Sequence, residues 1–242
     1  MNDDVSLKLT SLIRGRAPAL ALEVAAIVFG ILLAFLIDAW WDARGDRARE
    51  NAYITKLIDE FDAGRSELET DLRVRGTLLD GWTRLLRSPS PTGDSVGTIV
   101  ASLDRYRFYT PVHVVFDDLI SSGGLNLLRS DSLRASILEY AQERERVAGV
   151  EATEQQLIIQ TVIPYMVEHA EYLPWISPSR RDSLGLQPQA VKRDPRTVVA
   201  DPTFRNILYL RWDRADVTQR YSARLHEVVL KVLRLLRSES DR

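Results

Sequence analysis

Residues Ala19 to Trp41 read ALALEVAAIVFGILLAFLIDAWW, and this run restricts the environments open to the chain more than any other feature. From Val24 to Ile37 no side chain is polar. A helix crosses a bilayer with about 20 residues at about 1.5 Å each, so a helix over 18–41 is long enough to span. Pro18 stands where a first helical turn tolerates proline, because that N–H has no partner in any case. Trp40 and Trp41 fall at the far interface, where an indole keeps its N–H wet and its rings among acyl chains. Two other readings compete. A secretory signal also begins with basic residues, here Lys8, Arg14 and Arg16, but it needs small residues at a cleavage site. This run instead leaves through Ile37, Asp38, Ala39 and two tryptophans. A buried helix of a soluble domain is rarely apolar on every side for about four turns. The run is therefore read as a membrane anchor.

Within it, Glu23, Ala26, Gly30, Ala34 and Asp38 share about a third of the helix circumference. Ala26, Gly30 and Ala34 form a small-xxx-small stripe, a pattern that lets two helix backbones approach closely. A carboxylate at the centre of a membrane helix costs roughly 2.5–3.5 kcal/mol, less near the end where Glu23 lies. Either the stripe packs on a second helix with Glu23 hydrogen-bonded across the contact, or Ala and Gly are there as common membrane residues and Glu23 marks the interface. The packing reading makes the partners the lipid bilayer and either a second copy of the chain or another membrane subunit.

Orientation is less constrained, since Arg44, Arg47, Arg49 and Lys56 follow the span as Lys8, Arg14 and Arg16 precede it. A short basic N-terminus usually stays in the cytoplasm, and long domains translocate largely regardless of charge. The expected order is a cytoplasmic segment 1–17, a transmembrane helix 18–41 and an extracytoplasmic domain 42–242. That last part is long enough for one sizeable domain. The formal net charge is −2, which gives no support for nucleic-acid binding. Cysteine is absent, which removes disulfides, thiolate metal sites and cysteine nucleophiles together.

Beyond Trp41 the apolar spacing is helical. Ile54, Ile58, Phe61, Leu68, Leu72, Leu79, Trp82 and Leu86 recur at steps of four and three, with Arg65 and Arg75 in the two missing places. This predicts either a coiled-coil seam or the buried stripe of a bundle helix. Ser88-Pro89-Ser90-Pro91-Thr92-Gly93 predicts a turn-rich break. A short helix should carry Val96, Ile99, Val100 and Leu103. Thr110-Pro111 should cap a helix from Val112 to Ile120 that stops at Ser122-Gly123-Gly124. Tyr106 to Val115 is the one segment with strand-like content. Ser130 and Asp131 should cap a long helix reaching Ile158, Val162 and Tyr165, which Pro164 kinks or ends. Leu173 to Ala200 reads as a long loop. Asp201-Pro202 should then open a last helix with Phe204, Ile207, Leu208, Tyr221, Leu225, Val228, Val232 and Leu235 on one face. The fold class is all-α: one transmembrane helix followed by an extended helical bundle.

Two segments carry a resemblance. Glu23, Gly30-Ile31-Leu32-Leu33-Ala34 and Trp40, then Leu119, Ser122-Gly123, Leu125, Leu127-Leu128, Asp131, Leu133-Arg134 and Tyr140, resemble a bacterial family of uncharacterised single-pass membrane proteins. That family usually has amide residues where this chain has Asp38 and Ala39. The resemblance implies an anchored helical protein of the bacterial inner membrane, with its domain in the periplasm, and it brings no activity.

No catalytic, cofactor or metal constellation is legible. His113, His169 and His226 lie far apart, and none has a second histidine at i+4. Glu168-His169-Ala170-Glu171 reads as a solvated patch, because 168 and 171 share a helix face that His169 does not. Asp117-Asp118 lies beside a glycine pair that is better explained as a helix stop. Arg144 and Arg146 amid Glu143 and Glu145 read as a helix face paired within itself. The expectation is a non-enzymatic structural or accessory protein that assembles through its membrane helix and helical domain. The alternative is an extracytoplasmic module that senses a ligand or the envelope and signals through a partner, since few residues precede the span.

Overall fold

A computed structural model describes residues 3–88, 96–111, 113–170, 178–187 and 194–241. Most of the expected 88–93 break, Val112, Glu171 and the 173–177 stretch lie outside the described residues. The fold is all-α. Helix α1 runs Asp3–Arg87, α2 Val96–Val100, α3 Val114–Ser121 and α4 Asp131–Leu157. Then come α5 Ile163–His169, α6 Pro178–Ser183, α7 Pro195–Ala200 and α8 Pro202–Ser240. The chain divides into two units, Met1–Ala52 and Tyr53–Arg242.

In the first unit, α1 is long and apolar enough to cross a bilayer, and none of its apolar window is buried among the described residues. Phe29 and Phe35 are each 67% exposed. Trp40 and Trp41 meet edge to face at 5.4 Å, and the Arg44 guanidinium lies 5.7 Å from the centre of the Trp40 ring. An exposed apolar face of this size has to be covered by lipid or by another helix.

The second unit is a bundle of three long helices closed by the short ones. From Tyr53 on, α1 lies parallel to α4, and both lie antiparallel to α8. Contacts Phe61–Tyr140 and Arg75–Glu154 rise together along α1 and α4, whereas Asp62–Arg237, Glu69–His226 and Leu72–Gln219 run in opposite senses along α1 and α8. Two hydrophobic clusters form the core. One gathers Ile54, Leu57, Phe61 and Leu68 of α1 with Leu133, Ile137 and Tyr140 of α4 and Leu225 to Leu236 of α8. The other gathers Trp82 and Leu85 of α1, α2, Ile158 and Val162, Val198 and Val199 of α7, and Phe204 to Ala215 of α8.

The buried seam of α1 is Ile54, Leu57, Phe61, Gly64, Leu68, Asp71, Arg75, Trp82 and Leu85. It is a seven-residue repeat, but half of it sits one residue before the expected line, and Ile58, Leu72, Leu79 and Leu86 are only half-buried. Within the second unit the seam packs on α4 and α8 of the same chain, as the stripe of a bundle helix does. Gly64 belongs to it because a Cβ there would meet Tyr109 Oη at 2.9 Å.

Several boundaries follow from local chemistry. Ser130 Oγ accepts from Leu133 N–H, and Asp201 accepts from Thr203 N–H, so the two expected N-caps are present. Gly123 takes φ +74 and ends the α3 region, as a left-handed stop requires. Pro164 does not end its helix. The wide turn Ile158–Val162, where Ile163 N–H bonds to Ile158 O, opens the ladder just ahead of the proline and lets the helix continue into α5. Two expectations need correction. Thr110-Pro111 does not cap α3, which starts at Val114 after His113. The 173–200 stretch is not one structureless loop, since α6 and α7 lie in it and Val198 and Val199 are buried core.

Candidate functional site

Residues 105–111 adopt neither helix nor strand, with Tyr109 buried and Arg105 to Arg107 exposed. Backbone groups in such a place need partners. Here side chains of three helices supply them. Arg211 of α8 donates its Nε–H to Leu103 O at 3.0 Å and an Nη2–H to Arg105 O at 2.7 Å. Arg75 of α1 donates to Arg107 O at 3.3 Å. Glu151 of α4 accepts the Tyr109 N–H at 3.1 and 3.3 Å. The strand-like composition of this segment thus corresponds to an extended strap whose ladder is made of arginine and glutamate side chains.

The same side chains form a charged layer between the two hydrophobic clusters. Glu154 accepts from Arg75 at 2.7 Å through one oxygen and from Arg211 at 2.6 Å through the other. Glu151 lies 3.7 Å from Arg75, and Arg107 of the strap donates to Asp71 at 2.5 Å. The Arg211 guanidinium stacks 4.6 Å from the centre of the Trp82 ring, and its side chain is 1% exposed. Burial lowers the Arg211 pKa, while Glu154 holds its charge in place. Burial pushes the Glu151 carboxyl up to about 7, against the pull of the Tyr109 N–H and of Arg75. Asp71 Oδ2 and Arg75 Nε are sealed from solvent with no hydrogen-bond partner among the described residues. A buried ionic group that is incompletely satisfied is poor evidence of stabilisation, because desolvation offsets the attraction.

Tyr109 joins this layer to an aromatic relay. Its Oη lies 3.4 Å from Tyr140 Oη, which in turn lies 2.6 Å from His113 Nε2. Burial raises the pKa of both tyrosines, Tyr109 to about 12, and lowers that of His113. The other ring nitrogen of His113, Nδ1, is buried 3.9 Å from Glu60, beyond hydrogen-bond distance. Glu60 in turn accepts the N–H groups of Val115 and Phe116 at 2.7 and 3.0 Å, capping α3 from another helix. Phe61 and Phe116 pack edge-on around Tyr140.

A pocket of 420 Å³ opens beside the charged layer, between the strap and the Val74–Leu78 face of α1, with Trp82 and Arg211 behind it. Asp104 and the strap residues Arg105 to Arg107 line it.

The residues expected from sequence lie elsewhere. Glu23, Ala26, Gly30, Ala34 and Asp38, with Trp40 and Trp41, are all exposed on α1. Their common face is kept, the space that a Cβ on Gly30 would take is open, and no second segment among the described residues covers them. Arg146 pairs with Glu143 as expected, but Arg144 leaves the helix face to reach Asp117 at 2.9 Å and the face of the Phe116 ring. His169 stacks flat on Tyr165 at 4.3 Å, so it is not a purely solvated residue. Asp71, Arg75, Glu151, Glu154 and Arg211 were missed as a group. Their signal is a charge on an otherwise apolar stripe. Comparison with known proteins adds no relative: no family model, curated protein or solved structure matches this chain.

Proposed function

We propose that this chain is a membrane-anchored, non-enzymatic accessory protein that assembles with a second copy or another membrane subunit through the face of its span bearing Glu23, Ala26, Gly30, Ala34 and Asp38. The observation that carries the reading is the complete exposure of the apolar window of α1, with open space around Gly30. Close backbone approach along small residues is how helices associate where lipid removes the hydrophobic drive. Trp40, Trp41 and the Arg44 that lies over Trp40 support the far interface. The short basic N-terminus favours a cytoplasmic start, which leaves the helical domain in the periplasm of a bacterial inner membrane.

The test is the native mass of the full chain withdrawn from its own membrane in gentle detergent, beside a Gly30→Ile variant. A closed homo-oligomer or a stoichiometric foreign subunit is expected, and the isoleucine should weaken it by forcing the backbones apart. A lone chain in both samples overturns the assembly reading.

A further inference from the structure

The pocket beside the charged layer has no part in assembly through the span, and its lining describes a ligand. Its accessible walls are Val74 and Leu78 of α1 on one side and Tyr106 of the strap on the other. Val74 is 37% and Tyr106 39% exposed, so both leave apolar surface open at the pocket. Tyr106 is steadied by Phe108, whose ring centre lies 4.9 Å away. Behind these walls the indole N–H of Trp82 is already bonded to Ser102 Oγ at 3.0 Å. The inner part of the pocket therefore offers the Trp82 ring and, among the described residues, one open donor at Arg75 Nε and one open acceptor at Asp71 Oδ2.

The charges are distributed unevenly. In the depth, Glu154 is paired with Arg75 and Arg211, and Arg211 directs further donors at the carbonyls of Leu103 and Arg105. At the mouth, Arg107 gives its Nε–H to Asp71 while half of its side chain stays in solvent. Arg105 is exposed beside it, with Asp104 half-buried between mouth and depth. Counting the whole lining, four arginines face three carboxylates, and the surplus cation lies at the entrance. A volume of 420 Å³ is at the small end of the range, about 300–1,000 Å³, in which ligand pockets fall.

We infer that this pocket binds a small organic monocarboxylate with a flat or branched apolar body. The body lies between the Val74–Leu78 face and Tyr106, and the carboxylate meets Arg105 and Arg107 at the mouth. Guanidinium groups suit this head because their forked donors match the two carboxylate oxygens. Because the ligand would touch the strap itself, its occupancy would add contacts to the segment that the buried arginines already hold.

The experiment is equilibrium dialysis of phenylacetate and of its neutral isostere phenylacetamide against the full-length protein in lipid nanodiscs, with empty nanodiscs as the blank. Saturable binding of the acid at one site per chain is expected, with the amide weaker by about fivefold, the effect of one largely exposed ion pair. Arg105→Ala, an exposed change, should remove most of that preference. Val74→Trp should fill the cleft and abolish binding of both compounds while the helical circular dichroism is unchanged. No saturable binding of the acid, equal binding of acid and amide, or full binding to a folded Val74→Trp chain would each overturn the assignment. Should the tryptophan variant fail to fold, the acid–amide ratio of wild type against Arg105→Ala decides alone.

Discussion

Glu151 shows how one residue in the charged layer sets a direction for pH dependence. Its folded pKa of about 7 lies above the ordinary 4.5, chiefly because burial penalises the charged form. Between those two values the folded chain keeps a proton that the unfolded chain has released. Stability owed to this residue is thus fully present below about 4.5 and is lost as pH rises through about 7. His113 acts in the opposite sense, because burial lowers its pKa. Its contribution is present above the ordinary 6.5 and is lost on acidification. Glu151→Gln keeps an oxygen for the Tyr109 N–H and removes the titration. The wild-type chain should therefore lose more thermal stability than the variant on going from about pH 5 to about pH 8. Melting curves of both full-length proteins at the two pH values check this, and parallel losses would contradict it.

At the scale of elements, the caps separate what the sequence discloses from what it conceals. Ser130 and Asp201 precede the helices they cap, so their chemistry is readable in order along the chain. Helix α3 is different. Its own N-cap residue, His113, makes no side-chain cap, and the acceptor comes from Glu60, far away on α1. No local pattern announces that. The one-residue offset of half the α1 seam has a similar origin. Asp71 occupies a core place without being apolar, so periodicity selects the neighbouring Leu72; Gly64 leaves only Arg65 beside it, and Leu57 and Leu85 stand next to the equally apolar Ile58 and Leu86. Arg75 on α1, Glu151 and Glu154 on α4 and Arg211 on α8 interrupt apolar stripes in turn. Each alone resembles a defect, and only the tertiary fold shows that the interruptions meet. For Glu60 the expected outcome is quantitative. Glu60→Ala leaves two N–H groups at the start of α3 without their acceptor and should cost about 1–2 kcal/mol, by analogy with lost N-caps. That corresponds to a melting temperature lower by about 2–8 °C for a domain of this size, with Glu60→Gln intermediate. An unchanged alanine variant would mean that solvent replaces the carboxylate without loss.

For the whole molecule, the distribution of the core argues for a domain that does not need its span in order to fold. Both hydrophobic clusters, the charged layer and the relay are built from Tyr53 onward. The large apolar side chains from Leu22 to Trp41 are exposed and belong to neither cluster. Removing the residues ahead of Gly45 therefore deletes a large apolar surface and no core side chain. Two consequences should follow. The remaining fragment should be soluble without detergent, because the large exposed apolar patch is gone. It should also unfold as one cooperative unit, because the charged layer ties α1, α4 and α8 together through shared partners: Glu154 alone holds arginines from two of them. Far-ultraviolet circular dichroism during a thermal melt would read both. A helical spectrum with a single transition is the expected result. A β-type spectrum or an aggregated fragment would place the determinants of folding in the span instead. A helical spectrum with two transitions would mean that the hydrophobic clusters on either side of the layer fold separately, and that buried ion pairs do not couple them.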